Sequence, residues 1–288
     1  MTLLSVLGWV CLVSLVRAVV TDPNIAQYGL GKTHGYTQTG PTTVTASSYD
    51  FSVFIDATSI GVIAGAKVYG PLSGYLNTHG PQDLTTHSSG AEFKVTGYLN
   101  QGSLNTDFPN DNSGNYKLRI DTGTAGGSIS GYDYEIQFNL GGDAYPTSIP
   151  TLTLDNGTWS SGVYQVSDTG VSTSFGWSFA DYNATTDVVL FSIEHGGKDV
   201  VRRQFQGSNP GGYTIDPNLL TAGMNYTGRL TFARIVDSPT DVSGVQGVAY
   251  YAVETTFNLQ AVPEPSTYLL LGLGLGSVLL LLKRQRRA

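Results

Sequence analysis

Tyr132-Asp133-Tyr134-Glu135-Ile136-Gln137-Phe138-Asn139-Leu140 alternates apolar and polar residues without a break. A period of two is that of a β-strand, whose side chains point to opposite faces in turn. The stretch therefore predicts a strand that buries Tyr132, Tyr134, Ile136, Phe138 and Leu140 and leaves Asp133, Glu135 and Gln137 in water. Outward from it, strand-like runs recur at 51–55, 92–99, 117–120, 151–154, 175–179, 188–193, 229–235 and 250–259. Turn-forming clusters separate them, such as Asp111-Asn112-Ser113-Gly114-Asn115 and Asp155-Asn156-Gly157. No convincing amphipathic helix intervenes. Many short strands with turn punctuation predict an all-β chain of antiparallel sandwiches.

A polar, Gly/Pro-containing segment, Gly141-Gly142-Asp143-Ala144-Tyr145-Pro146, follows the opening strand and predicts a boundary. Two β-sandwich modules result, at 19–146 and 147–261, each near the ~100 residues of a sandwich domain. The second contains Leu219-Leu220-Thr221-Ala222-Gly223-Met224-Asn225-Tyr226 ahead of a strand. A Leu, a Gly turn and a Tyr entering a strand resemble the tyrosine corner of fibronectin type III and immunoglobulin-like domains. The resemblance implies that Tyr226 buries its ring and returns its hydroxyl to the preceding loop. It implies no chemistry.

Composition narrows the function classes. Charged residues make up 13% of the 288, and residues 19–262 carry 10 Lys/Arg against 21 Asp/Glu. A nucleic-acid binder needs a basic footprint, so no nucleic-acid partner is expected. The lone Cys11 excludes an intramolecular disulfide and a multi-Cys zinc site. Cys11 falls in an apolar run, residues 3–16, too short for the ~20 residues of a membrane span. With Val16 and Ala18 at the small-residue positions, residues 1–18 read as a signal peptide cleaved after Ala18.

The other end reads Pro263-Glu264-Pro265, an apolar helix at 267–282 interrupted by three Gly, and a basic stop of Lys283, Arg284, Arg286 and Arg287. Basic residues stay cytoplasmic, so the body lies on the far side of the membrane. This three-part tail resembles the PEP-CTERM sorting signal of Gram-negative bacteria over its last 27 residues. The resemblance implies that an exosortase, an integral membrane cysteine protease, recognises Pro263-Glu264-Pro265. It also implies secretion machinery and membrane lipid as partners, and a destination on the cell surface or in the extracellular matrix. Hosts of the family usually make extracellular polysaccharide, which is therefore a candidate partner.

Candidate chemical sites are sparse. His34, His79, His87 and His195 lack zinc-ligand spacing. The nearest approach to a nucleophile elbow, Gly176-Trp177-Ser178-Phe179-Ala180, lacks its last Gly and lies in a predicted strand. A glycosidase needs two converging carboxylates. Glu is scarce, and nothing in the spacing brings Glu92, Glu194 or Glu254 together. Oxygen-rich residues 107–115 and Asp121 are of the kind calcium takes, but EF-hand spacing is missing and turn chemistry explains them first. No metal, cofactor or catalytic residue is expected. Trp159, Tyr182 and Tyr213 lie beside turns and are candidate platforms for stacking on sugars, whereas Trp177 alternates with Phe175 and Phe179 and reads as core. The leading expectation is a non-enzymatic exported surface or matrix protein. The alternatives are an envelope-tethered carbohydrate-binding module and, second, a polysaccharide hydrolase.

Overall fold

A computed structural model describes residues 24–58, 63–87, 90–123, 131–242 and 245–262. The proposed signal peptide at 1–18 and the apolar helix at 267–282 lie outside the described residues. Among those described, no helix is long and apolar enough to cross a membrane.

In chain order the elements are β1 (Ile25–Gln38), β2 (Val44–Ala57), β3 (Gly65–Tyr69), α1 (Tyr75–Thr78), β4 (Gln82–Asp83), β5 (Thr85–His87), β6 (Gly90–Tyr98), α2 (Gln101–Asp107) and β7 (Asp111–Asp121). There follow β8 (Tyr134–Leu140), β9 (Thr153–Leu154), β10 (Gly157–Ser160), β11 (Val163–Val166), β12 (Thr173–Gly176), β13 (Asp187–His195), β14 (Lys198–Gln206), β15 (Gly212–Ile215), β16 (Asn225–Asp237) and β17 (Gly247–Ala261). The opening stretch of sequence is β8. Its strand begins at Tyr134, and Ile136, Phe138 and Leu140 are fully buried. Its polar face is less wet than expected. Glu135 accepts Arg119 Nε at 2.7 Å and Lys117 Nζ at 3.1 Å across the ladder, and Asp133 accepts from Thr122 N at 2.7 Å.

One ten-stranded sheet dominates, in the order β14-β13-β16-β17-β1-β2-β6-β5, with the β10–β11 hairpin joined to β17. A four-stranded sheet, β4-β3-β7-β8, and a three-stranded sheet, β15-β12-β9, complete the set. Two cores form on one face of the large sheet. The first joins Leu30, Phe51 and Val53 to Leu118, Ile136 and Phe138, with Phe108 at the end of α2. The second joins Phe191, Leu230 and Phe232 to Phe175 and Trp177. Each large ring so buried contributes about 1.5–3 kcal/mol.

The strands expected in separate modules on either side of residue 146 thus belong to one sheet. β17 is the link. Its Ala249 and Tyr251 sit in the first core, and Phe257 and Leu259 in the second. Nor is the sheet purely antiparallel: β17 runs parallel to β1 over residues 247–257 and parallel to β11 over 258–261. A parallel pair needs a long crossover, and here most of the chain supplies it.

The tyrosine corner is present. Tyr226 is buried, and its hydroxyl accepts the Thr221 N–H at 2.7 Å.

The reverse face of the large sheet is also apolar. Phe54, Val188, Val248, Tyr250 and Ala252 are at most 2% exposed there. A flat sheet would leave this face in water. Instead it coils, as right-handed strand twist favours. Arg202 on β14 comes within electrostatic reach of Asp56 on β2, although five strand spacings of a flat sheet would separate them by about 24 Å. Glycines on β1 make the curvature possible. The ring of Tyr250 lies over Gly31, so that a Cβ there would meet it at 2.5 Å, and Phe54 and Val248 close on Gly29 in the same way. Tyr250 reaches past β1 to bond Ser52 Oγ at 2.7 Å.

Gly31→Ala should therefore destabilise the fold by at least about 1–3 kcal/mol, because both the Tyr250 ring and its carbonyl must move. Urea unfolding measures this. Asp56 gives a pH signature. Its Oδ2 is buried without a hydrogen-bond partner, and burial pushes the carboxyl up to about 7. Unfolded, it loses its proton near 4, so between about pH 4 and 7 the native state holds the extra proton and stability falls as pH rises. Asp56→Asn should lack that decline, and the difference in urea midpoint between variant and parent should grow from pH 4 to pH 7.5.

Candidate functional site

Strand pairing on the coiled face assembles a charged cluster that the sequence order conceals. Register sets Ser192 opposite Arg229, and Thr231 opposite both Leu190 and Glu254. Alternation turns Glu194, Arg229, Thr231 and Glu254 to the same side. The result is a cavity of about 270 Å³, lined by Glu194, Arg229 and Thr231, with Lys198, Asp199 and Arg202 of β14 also contributing. Its volume is just below the usual range for small-molecule sites.

Arg229 lies between the two glutamates. Its Nε is 3.5 Å from Glu194 Oε1 and its Nη1 3.5 Å from Glu254 Oε1. All three side chains are less than a fifth exposed. Charge-assisted hydrogen bonds are shorter, at about 2.7–2.9 Å, so these are loose ion pairs. Arg229 Nε is buried and makes no aligned hydrogen bond, so its link to Glu194 is electrostatic. Glu254 is anchored by Thr231 Oγ1 at 2.9 Å. Burial pushes the Glu194 carboxyl above its ordinary value; Arg229 and Arg202 pull it back, while Asp199 and Glu254 add to the rise. The cavity thus offers acceptors and donors side by side, with one carboxyl shifted toward its protonated form.

The convergence of Glu194 and Glu254 is the main departure from the sequence reading. They are 60 positions apart, on strands that meet only because β16 lies between β13 and β17. No local spacing signals this.

The aromatic candidates are dispersed. Trp159 on β10 packs edge-on against Tyr164, with centroids 5.5 Å apart. Tyr182 stacks on Phe232 and bonds the Asp187 carbonyl at 3.2 Å. Tyr213 on β15 receives Arg203 Nε at 3.0 Å, with that guanidinium 5.2 Å over its ring. All three are half-buried, and among the described residues no ring contact joins them. They do not make one platform. Trp177 is core, 5% exposed.

His34 stacks on Tyr49 at 3.8 Å, and burial lowers its pKa. His79 and His195 each place Nδ1 against a backbone carbonyl. Asp111 and Asp121 serve turns, accepting from Asn115 N and Gly123 N. Among the described residues no three His, Cys, Asp or Glu side chains group as metal ligands would. Ala18, Pro263, Glu264, Pro265, Lys283, Arg284, Arg286 and Arg287 lie outside the described residues.

Arg229→Met should leave two half-buried carboxylates without their shared cation. Stability is expected to fall by about 1–3 kcal/mol at pH 7, and by less at pH 4, where more of Glu194, whose carboxyl burial pushes upward, carries a proton. Urea titrations at the two pH values measure the difference.

The PEP-CTERM protein-sorting motif matches residues 261–287. No curated protein matches the chain. Among solved structures it is similar to the FN1–FN3 domains of chicken CNTN1, with 11% identity, a TM-score of 0.21, and coverage of 71% of this chain and 62% of that one. It is also similar to a β-glucuronidase of Parabacteroides merdae, with 12% identity, a TM-score of 0.23, and coverage of 77% and 30%. The same enzyme with glycerol in its active site gives 13%, 0.23, 77% and 29%. The chain spans less than two thirds of each, and at such TM-scores the likeness carries no argument. The tail does: the chain carries a PEP-CTERM sorting motif at its C-terminus, which implies an exported protein processed by an exosortase.

Proposed function

We propose that this is a non-enzymatic cell-surface or extracellular-matrix protein of a Gram-negative bacterium, delivered by its N-terminal segment and sorted through Pro263-Glu264-Pro265. The observation that carries this reading is the sorting motif at 261–287. An acidic, cysteine-free body and a fold built almost wholly of paired strands suit a displayed module. In an exosortase-bearing host, Glu264→Ala should retain residues 263–288 and hold the body in the membrane fraction. Unchanged C-terminal mass and unchanged surface release would contradict the proposal.

A second reading, an envelope-tethered carbohydrate-binding module, is favoured by one feature. The cavity beside Arg229 offers the mixed donors and acceptors that a hydroxyl-rich ligand uses. Glycan-array binding that is lost in Glu194→Gln would support it, whereas loss in Trp159→Ala alone would move the site to β10. The Glu194–Glu254 pair also raises a polysaccharide hydrolase. A guanidinium 3.5 Å from both weighs against it, because it stands between the two carboxylates where a glycosidase must admit the bond to be cut.

A further inference from the structure

Lys32 is fully buried in the first core, on the same face of β1 as Tyr28 and Leu30. Lysine is almost never fully buried unless its charge is paired. Here Nζ donates to two neutral amide oxygens, Asn110 Oδ1 at 2.6 Å and Asn105 Oδ1 at 2.7 Å. Since a C=O bond is about 1.2 Å long, Nζ lies at most about 3.9 Å from the Asn105 amide carbon. That is close to the separation of a near-attack arrangement.

The carboxylate whose charge acts on Lys32 sits on the amide. Both oxygens of Asp143 accept from Asn105 Nδ2, each at 3.0 Å. Asp143 holds a left-handed backbone, φ 46°, in the turn after β8. Tyr251 OH lies 2.9 Å from Asn110 Oδ1, with the Lys32 ammonium 5.8 Å over the Tyr251 ring. Burial lowers the Lys32 pKa to about 8 against the opposing effect of Asp143, so about a tenth of the amine is neutral at pH 7. A nucleophilic amine, an amide carbon and a carboxylate on the leaving nitrogen are thus assembled in one shielded place.

We propose that Lys32 and Asn105 form an intramolecular amide bond, with Asp143 as the catalytic carboxylate. The neutral Nζ attacks Asn105 Cγ, and the Cγ–Nδ2 bond breaks as the Nζ–Cγ bond forms. The proton lost by Nζ passes through Asp143 to Nδ2, which leaves as ammonia. No oxidant or cofactor is consumed. Asn105 rather than Asn110 reacts, because only its nitrogen has an acid in contact. The bond staples β1 to α2 in a chain whose one cysteine, Cys11, lies in the N-terminal segment. It gives an exported protein the cross-link that disulfides provide elsewhere.

The test is peptide mapping by mass spectrometry of the full-length protein, purified under denaturing conditions. Trypsin should fail to cut after Lys32 and should release a branched peptide joining that region to residues 95–117. Its mass should be the sum of the two less one ammonia, and fragmentation should locate the branch at Asn105. Asn105→Ala should abolish the branch, and so should Asp143→Asn, with near-ultraviolet circular dichroism retained. Recovery of residues 33–67 as a free peptide from the parent protein would overturn the proposal. A branch at Asn110 would overturn the choice of Asn105, and a branch persisting in Asp143→Asn would overturn the role of Asp143. Should that variant fail to fold, the parent map alone decides whether the bond exists.

Discussion

The pairing of the first described strand with the last organises the molecule. β17 is flanked by antiparallel β16 on one edge and, on the other, by parallel β1 and then parallel β11. With both edges taken and both faces buried, β17 must be apolar almost throughout. Gly247-Val248-Ala249-Tyr250-Tyr251-Ala252-Val253 meets that demand before strict alternation resumes toward Leu259. Each half of the strand serves a different core, so the two packed regions hang from one backbone.

Coiling of the large sheet is the second constraint. It brings the β14 and β2 regions together, buries an apolar cluster on the reverse face, and places Glu194 and Arg229 in the wall of a cavity, with Glu254 paired to Arg229 behind them. Small residues on β1 allow it, since large rings from β2 and β17 need the space above Gly29 and Gly31. The same strand turns Lys32 into the first core on its other face. One strand thus separates two buried polar arrangements, a loosely paired charge cluster and an amine among amides. The first bears on the carbohydrate-binding reading, and the second carries the cross-link proposal.

What the sequence disclosed followed the range of the forces involved. Strict alternation marked β8, and Trp177 with its phenylalanine neighbours was legible as core. Tyr226 announced its corner, because these signals lie within a few residues. β1 carries no such signal for a physical reason: its inward face reads Tyr28, Leu30, Lys32, His34, Tyr36, and its other face carries Gly29, Gly31 and Gly35, so hydrophobic periodicity is diluted on both sides. The turn expected at Asp111 to Asn115 became an irregularity inside β7, with the register shifting between Asp111 and Tyr116. Convergence of Glu194 with Glu254 depends on pairings between distant strands, and that of Lys32 with Asn105 on the packing of α2 against the sheet; no local pattern encodes either. The tail behaved oppositely. Its Pro-Glu-Pro, apolar and basic parts are contiguous, so the sorting motif was readable from residues alone.

The central claim is that both cores share β17 and form one cooperative unit. Hydrogen exchange across a urea titration, followed peptide by peptide, tests it most directly. The account predicts that β1, β13, β16 and β17 lose protection in a single transition with a common midpoint. Two separate midpoints, with β1 and β8 opening while β13 and β12 stay protected, would contradict it.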